Sequence, residues 1–182
     1  MQIHKTNFEG LLIIEPKVWH DSRGYFLETF KQQLLISHGV NINWLQDNEA
    51  SSTYGVVRGL HFQKPPFAQT KLIRAVQGKI IDTVVDLRTN QPTFGQAYSI
   101  EINDINKLQL LVPHGFAHGY SVLSATSIVQ YKVDAIYNKE SEGGINLFDK
   151  ALNINWGLQP DEMIVSDKDM PLLSLAELPK IW

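Results

Sequence analysis

The sequence predicts a mainly β protein of the antiparallel barrel or sandwich kind, and three observations carry that prediction. Short β-rich runs recur between Gly, Pro and Asn turns, at the spacing of consecutive antiparallel strands. Helical periodicity is confined to two short stretches that could not carry a fold. The chain has 182 residues, 43% of them hydrophobic and 19% charged. It shows no composition break, which predicts one core in a single domain over residues 1–182.

The expected strands run from Leu11 to Ile14, Leu72 to Val76, Lys79 to Leu87, Tyr98 to Ile102, Leu108 to Val112 and Ser127 to Val133. One helix is expected from about Phe30 to His38, stopped by Gly39. A short C-terminal turn is expected where Ser174 and Glu177 have the spacing of a capping box before Pro179. No internal repeat or low-complexity tract is present, so functional residues must be read one by one.

Composition excludes several classes. There are no cysteines, which removes disulfides, Cys-zinc sites and a thiol nucleophile. A net charge of -3 argues against nonspecific nucleic-acid binding, although a local basic cluster could hold a small anion. The N-terminus Met1-Gln2-Ile3-His4-Lys5 lacks the apolar core of a signal peptide, and no apolar run approaches the roughly 20 residues of a membrane helix. A cytoplasmic protein with no membrane or nucleic-acid partner is the default expectation.

The densest chemistry lies between Val57 and Ala75. Arg58-Gly59-Leu60-His61 is followed by Lys64 and by Gln69-Thr70-Lys71-Leu72-Ile73-Arg74. One imidazole beside several cations suits a base whose anionic product a lysine can hold, which is enolate chemistry. A metal site normally needs three or four converging ligands; no His-x-His pair occurs, and His61 with His118 remains one ligand short. The Pro113-His114-Gly115-Phe116-Ala117-His118-Gly119 segment reads as a tight turn, structural or functional with equal weight.

The other candidates are ambiguous alone. Asp21-Ser22-Arg23-Gly24-Tyr25-Phe26-Leu27-Glu28 reads as an edge strand with a surface ion pair, or as a grip for phosphate and a planar base. Gln46-Asp47-Asn48 reads first as a solvated strand end. Val129, Tyr131 and Val133 share one face of a strand, so Tyr131 is equally well a core aromatic. Ser166-Asp167-Lys168-Asp169 reads as a charged loop, yet a carboxylate there could orient an imidazole.

Taken together, these motifs resemble the dTDP-4-dehydrorhamnose 3,5-epimerase family in order and over nearly the whole chain. Further matches are Gly55-Val56-Val57 ahead of Arg58, and Pro92-Thr93-Phe94-Gly95. The resemblance implies a cupin-type antiparallel jelly roll with a few short peripheral helices and no metal or other cofactor. It implies His61 as base, with Asp167 supporting its imidazolium as it forms. Tyr131 would be the acid on the opposite face of the sugar, and Lys71 the partner of the ketone oxygen. Arg23, Glu28, Gln46, Asp47, Asn48, Arg58, His118, Glu142 and Lys168 fall at positions that hold nucleotide, diphosphate and sugar; Tyr137 would stack on the base with help from Phe26. It also implies a homodimer with an exchanged N-terminal strand, so that Arg23 and Glu28 reach the partner's site.

The implied substrate is a nucleotide-linked 4-keto-6-deoxyhexose whose C-3 and C-5 hydrogens are acidified by the ketone, on the route to L-rhamnose and surface polysaccharide. The segment from Gly143 to Gly157 departs from the family, which more often carries a Trp-Asp-Asp-Pro-like run and a proline after the final tryptophan. Relatives sharing the acid and base can invert only C-3 or only C-5, or take a CDP-sugar. A metal-dependent cupin enzyme and a noncatalytic carbohydrate-binding jelly roll are the rival classes.

Overall fold

Short β-rich runs between turns make strand the dominant secondary structure, and in the computed structural model, which describes residues 1–182, fourteen strands form. They are β1 (Gln2–Lys5), β2 (Leu12–Glu15), β3 (Val18–Asp21), β4 (Gly24–Leu27), β5 (Gln46–Thr53), β6 (Val56–Gln63) and β7 (Lys71–Gln77). They continue with β8 (Lys79–Asp86), β9 (Ala97–Asn103), β10 (Gln109–Val112), β11 (Phe116–Val122), β12 (Thr126–Val133), β13 (Glu142–Gly144) and β14 (Ile164–Val165).

Two large sheets pack face to face. One has the order β1-β2-β10-β7-β12-β5; the other has the order β13-β6-β11-β8-β9, with β14 added in parallel to β6. Every other pairing is antiparallel, and β3 with β4 forms a separate hairpin. This is the jelly roll expected of the cupin type.

The period of two along each strand sorts side chains into three apolar clusters. On β10, Leu110 and Val112 enter the core between the sheets while Leu111 points outward. Ile73, Ala75, Ile80, Val84, Phe116 and Val129 share that inner core. Outside the first sheet, Leu12, Leu72 and Leu111 are covered by Leu35 of the helix α1 (Gln32–Ser37) and by Phe30 and Trp44. Outside the second sheet, Val57, Leu60 and Phe62 of β6 pack on Ile145, Leu147 and Trp156, with Leu175 and Trp182 beyond them.

The six expected strands all form, within one or two residues of their expected ends. Several elements differ. The helix α1 covers only Gln32–Ser37. The Ser174 hydroxyl donates to Glu177 Oε2 at 2.6 Å, but this closes a turn with no helix behind it. The Pro113–Gly119 segment is a turn only at its start, because Phe116 onward is β11, a wholly buried central strand. The Gly143–Gly157 segment begins in edge strand β13 and then buries Ile145, Leu147, Leu152 and Trp156 behind β6. Its indole Nε1 donates to the Leu147 carbonyl at 3.1 Å, and the Ser121 hydroxyl donates to the Trp156 carbonyl at 2.6 Å.

Candidate active site

In a regular strand, Arg58 and His61 would face opposite sides, because they are three residues apart. The pairing with β11 shows how both reach one cavity. His61 lies opposite His118 and Arg58 opposite Tyr120, so β6 spends three steps where β11 spends two. The extra residue is a β-bulge at Gly59. Before it, Val57 turns outward; after it, Leu60 and Phe62 do. Arg58 and His61 are thereby left on the cavity side together. Gly59 has a φ of +124°, and a Cβ there would sit 2.5 Å from Gly119 Cα and 2.8 Å from the His118 carbonyl. Only glycine fits this approach of β6 to β11.

The cavity has a volume of about 480 Å³ and is open to solvent. His61 on β6, Lys71 at the head of β7, His118 on β11, Tyr131 on β12 and Asp169 after β14 all line it. His61 Nε2 is 2.7 Å from Asp169 Oδ1. With Nε2–H donated to that carboxylate, the tautomer leaves the lone pair on Nδ1. Burial pushes the His61 pKa below its usual value, with Lys71 and Lys168 acting in the same direction, while Asp169 pulls it back up. The resting imidazole is therefore neutral at neutral pH, and the carboxylate favours the imidazolium when a proton arrives.

Lys71 is the second perturbed group. Burial lowers its pKa from 10.5 to about 8, against the pull of Asp82 and Glu142. An ammonium short of solvent is poised to meet negative charge on a bound oxygen. Tyr131 packs against the inner core and lines the cavity. Burial raises its pKa, and Arg58 partly offsets this. The phenol holds its proton at neutral pH, as a proton donor must.

Around this centre the polar groups are braced. His118 Nε2 is 3.0 Å from both carboxylate oxygens of Asp82, which is fully buried on β8. The Tyr137 hydroxyl donates to Glu142 Oε2 at 2.9 Å, and Lys168 Nζ lies 3.9 Å from Glu142 Oε1. Gln63 clamps the loop bearing Tyr137 by donating to the Ile136 carbonyl at 3.1 Å and accepting from the Asn138 amide at 2.6 Å. Arg58 donates through Nε to the Ser52 hydroxyl at 3.1 Å. No group of three or more His, Asp or Glu side chains converges with metal-ligand geometry.

The expected carboxylate partner of His61 requires correction. Asp167 is exposed and makes no contact with the imidazole; Asp169, two residues on and only 3% exposed, is the partner. The Ser166–Asp169 turn, closed by the Asp169 amide on the Ser166 carbonyl at 2.9 Å, drives the second carboxylate inward. Asp82 was also missed, although a carboxylate in the apolar run Ile80-Ile81-Asp82-Thr83-Val84 is itself a signal, since buried charge demands a partner.

Arg58, His61, Lys71, His118, Tyr131, Tyr137, Glu142 and Lys168 are thus brought together. Gln46, Asp47 and Asn48 lie on edge strand β5, outside the cavity lining. There Gln46 donates to Asn48 Oδ1 at 2.7 Å, and Asp47 pairs with Lys132 at 2.8 Å. Arg23 and Phe26 belong to the β3–β4 hairpin, where Arg23 pairs with Asp21 and Phe26 packs on Trp19. Phe26 is 66% exposed. Glu28 follows β4 and lies 3.6 Å from Lys31 Nζ. None of these three lines the cavity of its own chain.

A jelly roll holding a carboxylate-bound imidazole, a desolvated lysine and a buried phenol around one open cavity is an acid–base enzyme of the cupin architecture. The comparisons with known proteins narrow that class. The chain belongs to the dTDP-4-dehydrorhamnose 3,5-epimerase family, whose model matches residues 5–177. It is 44% identical over 171 residues to the dTDP-4-dehydrorhamnose 3,5-epimerase of Shigella flexneri, covering 93% of each chain. Its fold superposes with a TM-score of 0.93 on the enzyme of that name from Elizabethkingia anophelis, at 44% identity, covering 100% of this chain and 99% of that one. It matches equally, with a TM-score of 0.93 at 38% identity and 98% and 94% coverage, the dTDP-6-deoxy-D-glucose-3,5-epimerase of Legionella pneumophila, solved in complex with dTDP-4-keto-L-rhamnose.

Proposed function

We propose that this protein converts dTDP-4-dehydro-6-deoxy-D-glucose to dTDP-4-dehydro-L-rhamnose by inverting C-3 and C-5. The observation that carries the reading is the presence of a carboxylate-held His61 in one cavity with Lys71 and Tyr131.

The C-3 and C-5 hydrogens are each α to the C-4 ketone. His61 Nδ1 removes one of them, and its positive charge is met by Asp169. The electrons move to the C-4 oxygen, where the Lys71 ammonium stabilises the enolate. Tyr131 then delivers a proton to the carbon from the opposite face, which inverts the centre. Before the step is repeated at the second carbon, solvent entering the open cavity takes the proton from His61 and returns one to Tyr131. No electrons leave the sugar, so the chemistry calls for no redox partner. Arg58 and Lys168 supply cationic surface for the diphosphate, and Tyr137, held by Glu142, offers a ring to the nucleobase.

The reading includes a homodimer. The β3–β4 hairpin carries Trp19, Arg23, Tyr25 and Phe26 with large exposed faces, and it pairs with neither large sheet of its own chain. Inserted beside a partner's cavity, it would bring Arg23, Phe26 and Glu28 to the nucleotide. Gln46, Asp47 and Asn48 on β5 complete the sugar-nucleotide site in this reading. No helix is long and apolar enough to cross a membrane, and we place the enzyme in the cytoplasm, supplying activated deoxysugar for polysaccharide.

The deciding experiment is incubation with dTDP-4-keto-6-deoxyglucose in deuterated water, followed by nuclear magnetic resonance. Deuterium at both C-3 and C-5 in an inverted product is expected. Label at one carbon would make the protein a monoepimerase, and no label would overturn the assignment.

A further inference from the structure

The ring offered to the nucleobase stands on irregular backbone. Tyr137 lies between β12 and β13, in neither a strand nor a helix, and it is 57% exposed. A ligand that stacks on such a residue must order it first, and that ordering is taken out of the affinity. Something else has to hold the ring if binding is to be tight.

One buried side chain does so. Gln63, the last residue of β6, is 6% exposed. Its Nε2 donates to the Phe67 carbonyl at 2.8 Å and to the Ile136 carbonyl at 3.1 Å, and its Oε1 accepts from the Asn138 amide at 2.6 Å. Both amide donors and the acceptor are in use, and all three partners are backbone. Two of them belong to the residues on either side of Tyr137. Across the ladder Gln63 stands opposite Glu142, whose Oε2 accepts from the Tyr137 hydroxyl at 2.9 Å. The backbone under the ring and the carboxylate at its far end are thus moored to the same residue. The stretch between them is closed as well: Asn138 Oδ1 accepts from the Ser141 amide at 3.0 Å, and the Lys64 amide donates to the Ser141 carbonyl at 2.8 Å. Gln69 adds a strap further back, donating to the Ala135 carbonyl at 2.7 Å.

We propose that Gln63 is a positioning residue for nucleotide recognition: it fixes the backbone on both sides of Tyr137, so that the ring is in place before a nucleoside diphosphate arrives. Gln63 acts on the ligand through Tyr137, and the acid and base do not depend on it. This rests on the stacking role given to Tyr137 above.

A double-mutant cycle tests it, with Gln63→Met, Tyr137→Ala and the combined variant compared for dTDP affinity by calorimetry, for KM and kcat with the 4-keto sugar nucleotide, and for melting temperature. Gln63→Met is expected to weaken dTDP binding and raise KM roughly tenfold, the weight of ordering one side chain on binding, with kcat within about twofold of the parent. In the Tyr137→Ala background the same substitution should change dTDP affinity by less than about twofold. Gln63→Glu keeps the volume and the acceptor but loses both donors, and it serves in the same cycle if the methionine variant does not fold. Hydrogen exchange on the parent needs no variant: the Asn138 amide should be protected before dTDP is added. Parent-like binding by the Gln63 variant, a loss confined to kcat, losses that simply multiply, or an Asn138 amide protected only once dTDP is present would each overturn the inference. A Tyr137→Ala variant that binds dTDP as the parent does would instead overturn the stacking role beneath it.

Discussion

His61 and Asp169 meet at 2.7 Å across 108 residues of sequence, one on the second sheet and the other on a turn after β14. The contact ties the C-terminal third of the chain to the imidazole. Asp169→Asn keeps the shape and removes the charge. Inversion should fall by about 10²- to 10³-fold, since the imidazolium loses its counter-charge. Asp167→Asn, at the exposed neighbour, should stay within about twofold of the parent. A steady-state comparison of the two variants checks the assignment, and equal losses would refute it.

The pH profile follows from two lowered pKa values. As the proposed base, His61 works when neutral, so activity should rise with pH through a pKa held below its ordinary value by burial. Lys71 works when charged, so activity falls as pH rises through about 8. A bell with its alkaline limb near pH 8 is expected for kcat/KM. Because Asp169 raises the His61 pKa, Asp169→Asn should move the acid limb to lower pH. A limb that stays put, or moves up, contradicts the pairing.

Lys71→Met should lose activity by about 10²- to 10³-fold while gaining stability. Below pH 8 the folded state carries the ammonium at the cost of burying it. Between about 8 and 10.5 the unfolded chain still binds a proton that the folded chain has released, so the parent grows more stable as pH rises through that window. The Met variant lacks this term. Its advantage in denaturant midpoint should be largest below pH 8 and disappear above 10.5.

Tyr131→Phe should separate exchange from inversion. His61 and Lys71 can still form the enolate, and return of the proton from His61 gives deuterium wash-in with retained configuration. Product stereochemistry beside label position decides the matter. Full inversion at either carbon would show that Tyr131 is not the acid there.

Much of the scaffold was readable from the chain, because β2, β7, β8, β9, β10 and β12 are short β-rich runs set between turn residues. The strands that carry chemistry were harder. On β6 the bulge reverses the alternation halfway, so Val57 and Leu60 share a face that a regular strand would split. On β11 every residue is buried whatever its polarity, which erases the pattern and leaves His118-Gly119 looking like a loop. His61 and Lys71 stand out by their chemistry, an imidazole among cations, and Tyr131 through the family motifs; periodicity singles out none of the three. The choice between Asp167 and Asp169 was beyond the sequence, since only the turn geometry tells which of two carboxylates in one loop faces inward.

Gly59→Ala should be severely destabilising, on the order of 3 kcal/mol or more. The added methyl meets backbone atoms of Gly119 and His118, which cannot swing aside as a side chain would. Urea titration against the parent measures it; a loss below about 1 kcal/mol would mean that the two strands can part cheaply.

The bulge also sets a counting rule for anyone altering this enzyme. Upstream of Gly59 the outer apolar layer takes the odd-numbered Val57, and downstream it takes the even-numbered Leu60 and Phe62, which leaves Arg58 and His61 together on the cavity side. The glycine works like a phase shifter, letting one strand present two different parities to the same ligand. A library that varies cavity-facing positions by taking every second residue along β6 would randomise the outer packing layer across half its length. A one-residue insertion or deletion beside Gly59 would do more than lengthen or shorten the wall: it would bring Arg58 and His61 out of step, and the enzyme would keep either its cation or its base on the working side.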